Sequence, residues 1–204
     1  MKIQLKIILV LLVLTFSFTL SSCLQNEKYS TGLEYELSED GSYYMVSGIG
    51  TCTDNDIVIP STYNGLDVKE IKDHSFGFND NIYSIVILEG VETIGAAAFK
   101  ACINLKSVTL PSTLLAIESE AFSNCIHLKE ISLPKNLEKI GSNAFGFNMS
   151  LEKIVIPLSV IEIGSNAFIN DQFCTIYCEV ESVPSTWDSK WNEYEVSVVW
   201  GYTE

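Results

Sequence analysis

The sequence predicts a parallel β-solenoid, in which short repeats stack on one another and share one hydrophobic core. Phenylalanine recurs every 23 residues without exception, at Phe76, Phe99, Phe122, Phe145 and Phe168. Isoleucine keeps the same interval five residues earlier, at Ile71, Ile94, Ile117, Ile140 and Ile163. A single unit of this length is too short to bury these side chains alone, so the units must stack and align them in columns.

Each repeat contains two short extended segments and a compact turn. In the unit spanning 128–145, Ile131 and Leu133 alternate with polar residues, which is the period of a half-buried strand. Residues 137–140 form the second extended segment, and residues 142–145 resemble a short helical turn. We therefore expect parallel β-strands connected by short turns and helical turns, in five repeats of the 23-residue type.

The repeats should occupy residues 55–180, with irregular units at both ends. The first unit is five residues longer than the others, and the extra residues fall around 61–66. After Phe168 the interval shortens by one residue, so that Ile176 and Cys178 take the strand positions.

Both ends of such a stack need a cover. Residues 34–54 predict a β-rich N-terminal cap that contains a small hairpin, and residues 181–204 predict an aromatic C-terminal cap. The C-terminal rings either cover the Phe168 layer or form a binding platform for a sugar or peptide. We expect the cover, because an uncapped last repeat would expose its core. These rings belong to Trp187, Trp191, Trp200 and Tyr202.

The pattern L-x-x-I-x-L-P-x-x-L-x-x-I-G-x-x-A-F-x-x-C/N resembles the bacterial leucine-rich repeats of the BspA-like (treponemal-type) family. The resemblance covers residues 55–180 and implies a leucine-rich repeat solenoid whose strands line a concave contact face. It also implies cell-surface adhesion or protein interaction, with a host or neighbouring-cell protein as partner. In such repeats the C/N column points inward and hydrogen-bonds the loop backbone. Here that column contains Asn79, Cys102, Cys125 and Asn148.

The outward strand positions are the candidate binding residues. They are small, mixed and weakly charged, and they do not identify a ligand. None is aromatic, which predicts weak contacts or contacts made through loops and edges instead. The eight positions are Ser84, Val86, Ser107, Thr109, Glu130, Ser132, Lys153 and Val155.

The beginning of the chain predicts export and lipid anchoring. A basic start and an apolar run ending at Leu20 indicate a signal peptide over residues 1–22, with an uncleaved membrane anchor as the alternative. The following Ser-Ser-Cys resembles a bacterial lipobox, so Cys23 is the predicted lipidation site and residues 23–33 the tether. We expect a secreted protein on the extracellular face of the bacterial cell envelope, touching the membrane only through its lipid.

Charge and motif content argue against several functional classes. The chain has 12 basic and 26 acidic residues, and its net charge of −14 opposes nucleic-acid binding. It has only two histidines, His74 and His127, and lacks Cys-x-x-Cys, zincin and phosphate-loop motifs, so no metal or cofactor is predicted. Regularly spaced glutamates fall in solvent columns of the repeat, namely Glu92, Glu138, Glu152 and Glu162.

The predicted repeats place two pairs of cysteines near each other. Cys102 and Cys125 lie on adjacent repeats about 4.8 Å apart, so two buried thiols are expected and a disulfide is geometrically allowed. Cys174 and Cys178 lie about 13 Å apart in an extended segment, too far to share a metal. Cys125 is near His127 in sequence but has a packing role, so no catalytic residue is predicted and the chain is not expected to be an enzyme.

Two functions are consistent with this sequence. The first is a non-catalytic interaction or adhesion module that uses the strand face. The alternative is a carbohydrate- or peptide-binding lipoprotein of an uptake system that uses the C-terminal tryptophan cluster.

Overall fold

The computed structural model describes residues 29–169 and 173–203. The predicted signal peptide at 1–22 and the predicted lipidation site Cys23 lie outside the described residues. Across the described ranges the chain forms fifteen strands and no helix. None of the described segments is therefore a helix of the length and apolarity needed to cross a bilayer.

The strands follow one another along the chain with short connections. They are β1 (Glu34–Leu37), β2 (Tyr44–Gly48), β3 (Asp56–Ile59), β4 (Thr62–Tyr63), β5 (Leu66–Ile71), β6 (Ser84–Ile87), β7 (Thr93–Ile94), β8 (Ser107–Thr109), β9 (Ala116–Ile117), β10 (Glu130–Ile131), β11 (Lys139–Ile140), β12 (Lys153–Ile156), β13 (Glu162–Ile163), β14 (Thr175–Cys178) and β15 (Ser197–Trp200).

The strands form two sheets that run along the stack. The front sheet has seven parallel strands in the order β15-β14-β12-β10-β8-β6-β3. The back sheet has the order β1-β2-β5-β7-β9-β11-β13, with β4 paired to β5. This arrangement confirms the parallel-strand solenoid. The front sheet continues for two strands beyond the fifth phenylalanine repeat. The stack therefore has more turns than the five repeats that the phenylalanines predicted.

Strand register follows the sequence interval. Ser84 pairs with Ser107, Ser107 with Glu130 and Glu130 with Lys153, each 23 residues apart. The next step is one residue shorter and pairs Lys153 with Thr175. This register places Ile176 and Cys178 inside β14, where both are buried, and confirms the shortened interval.

The phenylalanine column forms the centre of the core. Successive rings are stacked, with centroids 5.2 to 5.8 Å apart and planes within 11° of parallel. All five rings are at most 1% exposed. Each ring therefore covers its neighbour in the next repeat, as a shared core requires.

The compact turn of each repeat is not helical, so the expected helical turn at 142–145 is wrong. The N–H of every left-handed non-glycine residue in these turns donates to a carbonyl of the next turn of the stack, as from Ala97 to Ser119 at 2.9 Å. This conformation costs a non-glycine residue about 1 kcal/mol, so the hydrogen bonds between repeats override local preference. In the turns of the repeats, the non-glycine residues with positive φ are His74, Phe78, Ala97, Ala101, Glu120, Asn124, Asn143, Phe147 and Asn166.

Glycine allows close backbone approach at the end of the back strands. A Cβ added to Gly141 would clash with the backbone nitrogen of Ser119 in the preceding repeat. A Cβ added to Gly95 or Gly164 would also lie too close to backbone atoms of the repeat before it. These glycines of the repeat pattern are therefore needed because neighbouring repeats pack closely, and not because the backbone has a positive φ.

Both predicted irregularities at the N-terminal end have a structural basis. β1 pairs antiparallel with β2 and forms the expected hairpin, and β2 then pairs parallel with β5. The five extra residues form a second hairpin between β4 and β5, closed by Asn64 and Gly65 at φ of 49° and 84°. Its Tyr63 ring stacks on Tyr35 of β1 at 3.7 Å and fixes the insertion to the cap.

Replacing a central ring of the column should destabilise the protein strongly. Phe122 is fully buried between two stacked rings, so Phe122→Ala should lower the free energy of unfolding by roughly 3–5 kcal/mol in urea melts. Phe78→Ala is the matched control, because Phe78 is 70% exposed and should change the stability by less than about 0.5 kcal/mol. Equal effects at the two sites would show that the inward face is assigned incorrectly.

Candidate functional site

The front sheet presents the predicted binding positions on its outer surface. Burial alternates along its strands. In β6, for example, Ile85 and Ile87 are buried, whereas Ser84 and Val86 are partly exposed. All eight predicted positions are therefore brought together in two rows that cross four adjacent strands. One row contains Ser84, Ser107, Glu130 and Lys153, and the other contains Val86, Thr109, Ser132 and Val155.

The outward surface includes three more strands than the four that carry the predicted positions. At the N-terminal end β3 adds Asp56 and Val58, paired with Ser84 and Val86. At the C-terminal end, two more strands add outward residues in the same register. These are Thr175 and Tyr177 of β14, and Ser197 and Val199 of β15. We call the outer surface of these seven strands the strand face.

Aromatic rings are present on the strand face, contrary to the expectation that it lacks them. Tyr177 lies next to Val155 in the register, and its ring lies 4.8 Å from that of Tyr202. The Lys153 Nζ lies 4.9 Å from the Tyr177 ring centre and 4.8 Å from that of Tyr202. It also donates a hydrogen bond of 3.0 Å to the Tyr202 hydroxyl. Tyr202 thus belongs to this cluster.

A second aromatic ring borders the opposite end of the face. Tyr83 directly precedes β6 and is 44% exposed, and the Lys106 Nζ lies 5.3 Å from its ring centre. Lysine above the face of a tyrosine is a favourable cation–π arrangement. The rings at both ends are large side chains of the type that contributes most to protein–protein binding.

The middle of the face contains hydroxyl groups and a shallow cleft. Ser84 donates a hydrogen bond of 2.6 Å to the Asp56 carboxylate, while Ser107 is exposed. A cleft of about 310 Å³ lies beside β10 and β12, and its lining contains Lys135 and Lys153 together with Glu130 and Glu179. The face therefore offers hydroxyl, amine and carboxylate groups between the two aromatic ends.

The C-terminal tryptophans cover the end of the core. Trp187 and Trp191 are buried, and the Trp191 ring meets Phe168 edge-on at 6.3 Å. The Trp187 indole N–H donates a hydrogen bond of 3.2 Å to the carbonyl of Val160. Trp200 packs against both of the other tryptophans. Trp187 and Trp191 therefore lie where a cover of the core is expected, and Trp200 is partly buried against them.

The inward C/N column binds backbone, as the family resemblance implied. Three of its side chains donate to the carbonyl oxygen of the phenylalanine in the preceding repeat. Because all three are buried, each satisfies a carbonyl that water does not reach. The pairs are Cys102 with Phe76 at 3.2 Å, Cys125 with Phe99 at 3.2 Å, and Asn148 with Phe122 at 3.0 Å.

The cysteines have a structural environment. Cys102 and Cys125 are both thiols and are not bridged to each other. Burial raises the pKa of Cys102 to about 12 and raises that of Cys125 well above its usual value. His127 is exposed, with Nδ1 2.6 Å from the Ile103 carbonyl oxygen, whereas Cys125 points into the core. This pair therefore has no geometry for nucleophilic catalysis.

Metal-binding side chains do not converge in the part of the chain that the structure describes. No group of three histidine, cysteine or acidic side chains lies close enough there to hold an ion. Cys174 directly precedes β14 and Cys178 is its last residue, and both side chains are buried.

Comparison with known proteins agrees with this architecture. The BspA-type leucine-rich repeat region matches residues 51–184 in six copies. No functionally curated protein shows significant similarity to the chain.

Solved structures share the fold at moderate sequence identity. A leucine-rich repeat protein of T. pallidum is 29% identical, with a TM-score of 0.69 over 74% of this chain and 71% of that one. A leucine-rich repeat protein of Bacteroides ovatus is 28% identical, with a TM-score of 0.64 over 79% of this chain. A leucine-rich cell surface protein of Faecalibacterium prausnitzii is 26% identical, with a TM-score of 0.64 over 85% of this chain. The chain spans only 42% of each of the last two proteins.

The raised thiol pKa values predict selective alkylation. At pH 8 Cys102, Cys125 and Cys178 should resist iodoacetamide in the folded protein, because a thiol whose pKa is raised stays protonated until the pH approaches that pKa. Partly exposed Cys52 should be modified first, as measured by peptide mass spectrometry. In denaturant without reductant all of these thiols should react. Resistance of Cys102 and Cys125 under those conditions would show that they form a disulfide.

Proposed function

Because this chain belongs to the family of BspA-type leucine-rich repeat proteins, we propose that it is a non-catalytic module that binds a protein partner through its strand face. Solenoids of this kind are in general scaffolds for protein interaction. The observation that carries the proposal is that inward and outward residues have different roles in each repeat. Inward columns are filled by packing residues, whereas the outward rows on the front sheet are not needed for the core and run across seven adjacent strands.

Affinity for one partner molecule should be modest. Most side chains in the two rows are serine, threonine or valine, which bury little area and provide few anchors. The tyrosines at the two ends supply larger contacts, so binding energy should concentrate there. Many copies displayed on one cell would raise the effective strength through multivalency.

We propose further that the chain is displayed on the bacterial surface as a lipoprotein anchored at Cys23. Support comes from the lipobox-like Leu-Ser-Ser-Cys sequence and from the similar leucine-rich cell surface protein of Faecalibacterium prausnitzii. A tethered domain suits this net charge, because an anionic membrane surface repels the protein.

Anchoring is tested by removing the acyl acceptor. Cys23→Ala should prevent lipid attachment, so the protein should leave the membrane fraction or remain unprocessed, whereas Cys52→Ala should keep the wild-type distribution. Detergent-phase partitioning and intact-mass analysis provide the readout. A mature wild-type chain without lipid, or with another first residue, would contradict the proposal.

Binding through the strand face is tested by adding bulk and charge there. Ser107→Glu with Ser132→Glu should reduce binding of the purified protein to its partner on a panel of matrix proteins and glycans at least about tenfold, because both side chains project into the interface. The matched control is Leu115→Glu with Ile161→Glu, which adds the same charge at exposed residues of a separate groove of about 660 Å³.

The control also identifies other outcomes. Loss of binding in Leu115→Glu with Ile161→Glu alone would move the contact surface to that groove. Binding of a glycan that neither pair affects would favour the carbohydrate-binding alternative. Melting curves of both variants should match that of the wild type, because all four residues are exposed to solvent.

A further inference from the structure

The lysines of this protein are divided between two environments. The chain contains no arginine, so its 12 basic residues are all lysine, and nine of them fall in the described ranges. Five of these form ion pairs, and all five lie on the back sheet, on the turn segments or in the C-terminal cap. The other four lie on or beside three central strands of the front sheet, and one of them, Lys153, has partners of its own in Tyr177 and Tyr202. The four are Lys106, Lys129, Lys135 and Lys153.

Two of these lysines stand side by side without a counter-ion. Lys106 directly precedes β8 and Lys129 directly precedes β10, so they occupy equivalent positions on neighbouring strands about 4.8 Å apart. In the described part of the chain, no carboxylate lies within ion-pair distance of either one. Like charges at this spacing repel each other, so an anion bound between them would be favourable. Both side chains are exposed.

Side chains of mixed chemistry surround this pair. Tyr83 lies on one side, with Lys106 over its ring at 5.3 Å. The adjacent rows contain Ser107 and Thr109, and Val86 and Val155 lie on flanking strands. Two carboxylates are near the pair, because Glu130 directly follows Lys129 and Glu152 occupies the equivalent position in the next repeat. Two lysines therefore lie beside two carboxylates here, whereas the whole chain has 12 basic and 26 acidic residues.

We propose that the strand face binds a carboxylate-rich segment of a protein partner, with Lys106 and Lys129 contacting its carboxylates. This inference rests on the proposed function and specifies the chemistry of the partner. Lysine amines and serine hydroxyls donate hydrogen bonds to carboxylates, and the valine row and Tyr83 contact the apolar side chains between them. The acidic remainder of the domain disfavours a long polyanion such as a nucleic acid, because only a local segment meets positive charge.

The probe is a fluorescent synthetic peptide of repeating Glu-Val-Glu-Ser, compared with the same peptide carrying glutamine for glutamate. The purified protein should bind the glutamate peptide in fluorescence polarisation, more weakly as NaCl is raised, and should bind the glutamine peptide at least about tenfold more weakly. Lys106→Gln with Lys129→Gln should reduce affinity for the glutamate peptide about tenfold. Lys100→Gln with Lys190→Gln changes the net charge equally and should reduce it by less than about twofold.

Several outcomes would overturn the inference. Equal loss in both double variants would show that only the net charge matters, and equal binding of the two peptides would show that carboxylates are not recognised. Stronger binding of hyaluronate than of the glutamate peptide would assign the patch to acidic glycans. If Ser107→Glu with Ser132→Glu abolishes partner binding while Lys106→Gln with Lys129→Gln preserves it, the proposed function stands and this inference fails.

Discussion

Neighbouring repeats approach closely enough for backbone hydrogen bonds to form along both sheets and through the turn segments. The turn bonds hold left-handed residues such as Ala97 and Ala101, which would not adopt that conformation alone. The same approach leaves no room for a side chain at Gly141. Between β6 and β12 a fixed interval of 23 residues is the direct consequence, because a residue gained or lost within a strand would move that strand out of register with its neighbours.

This constraint determines which positions are available for function. The phenylalanine column and the C/N column are committed to packing and to buried hydrogen bonds. Trp191 covers the core near the last turn, and Tyr35 packs against the core near the first. Outward positions on the front sheet are free to vary without breaking the stack. The two outward rows and the residues that border them are therefore the positions that we propose determine specificity.

The sequence was sufficient to predict the features that depend on the interval. Column positions, strand register and the shortened step before β14 follow from counting residues, because every repeat must match its neighbour. The turn geometry did not follow, since residues such as Ala96 to Phe99 favour helix locally and only the bonds to the next repeat reverse that preference. This is a tertiary effect that no single repeat encodes.

The candidate site was predicted in part. The eight outward positions follow from alternation, and Tyr177 was accessible to the same argument, because it lies between inward Ile176 and Cys178. Tyr202 was not accessible, since it follows the last strand and no interval fixes its place. The environments of Lys106 and Lys129 also required the structure, because ion pairing depends on side-chain positions that the sequence does not give.

Deletion of one complete repeat tests the dependence on the interval most directly. Removing Ser112–Pro134 joins equivalent positions of two repeats and should leave a folded protein with one turn fewer, in which Phe99 stacks on Phe145. Urea unfolding should remain cooperative, with a lower free energy of unfolding, because the core loses one layer. Removing only Ser112–Ser123, about half an interval, should prevent folding. If the half-interval deletion folds as well as the full one, the stacking constraint described for this protein is contradicted.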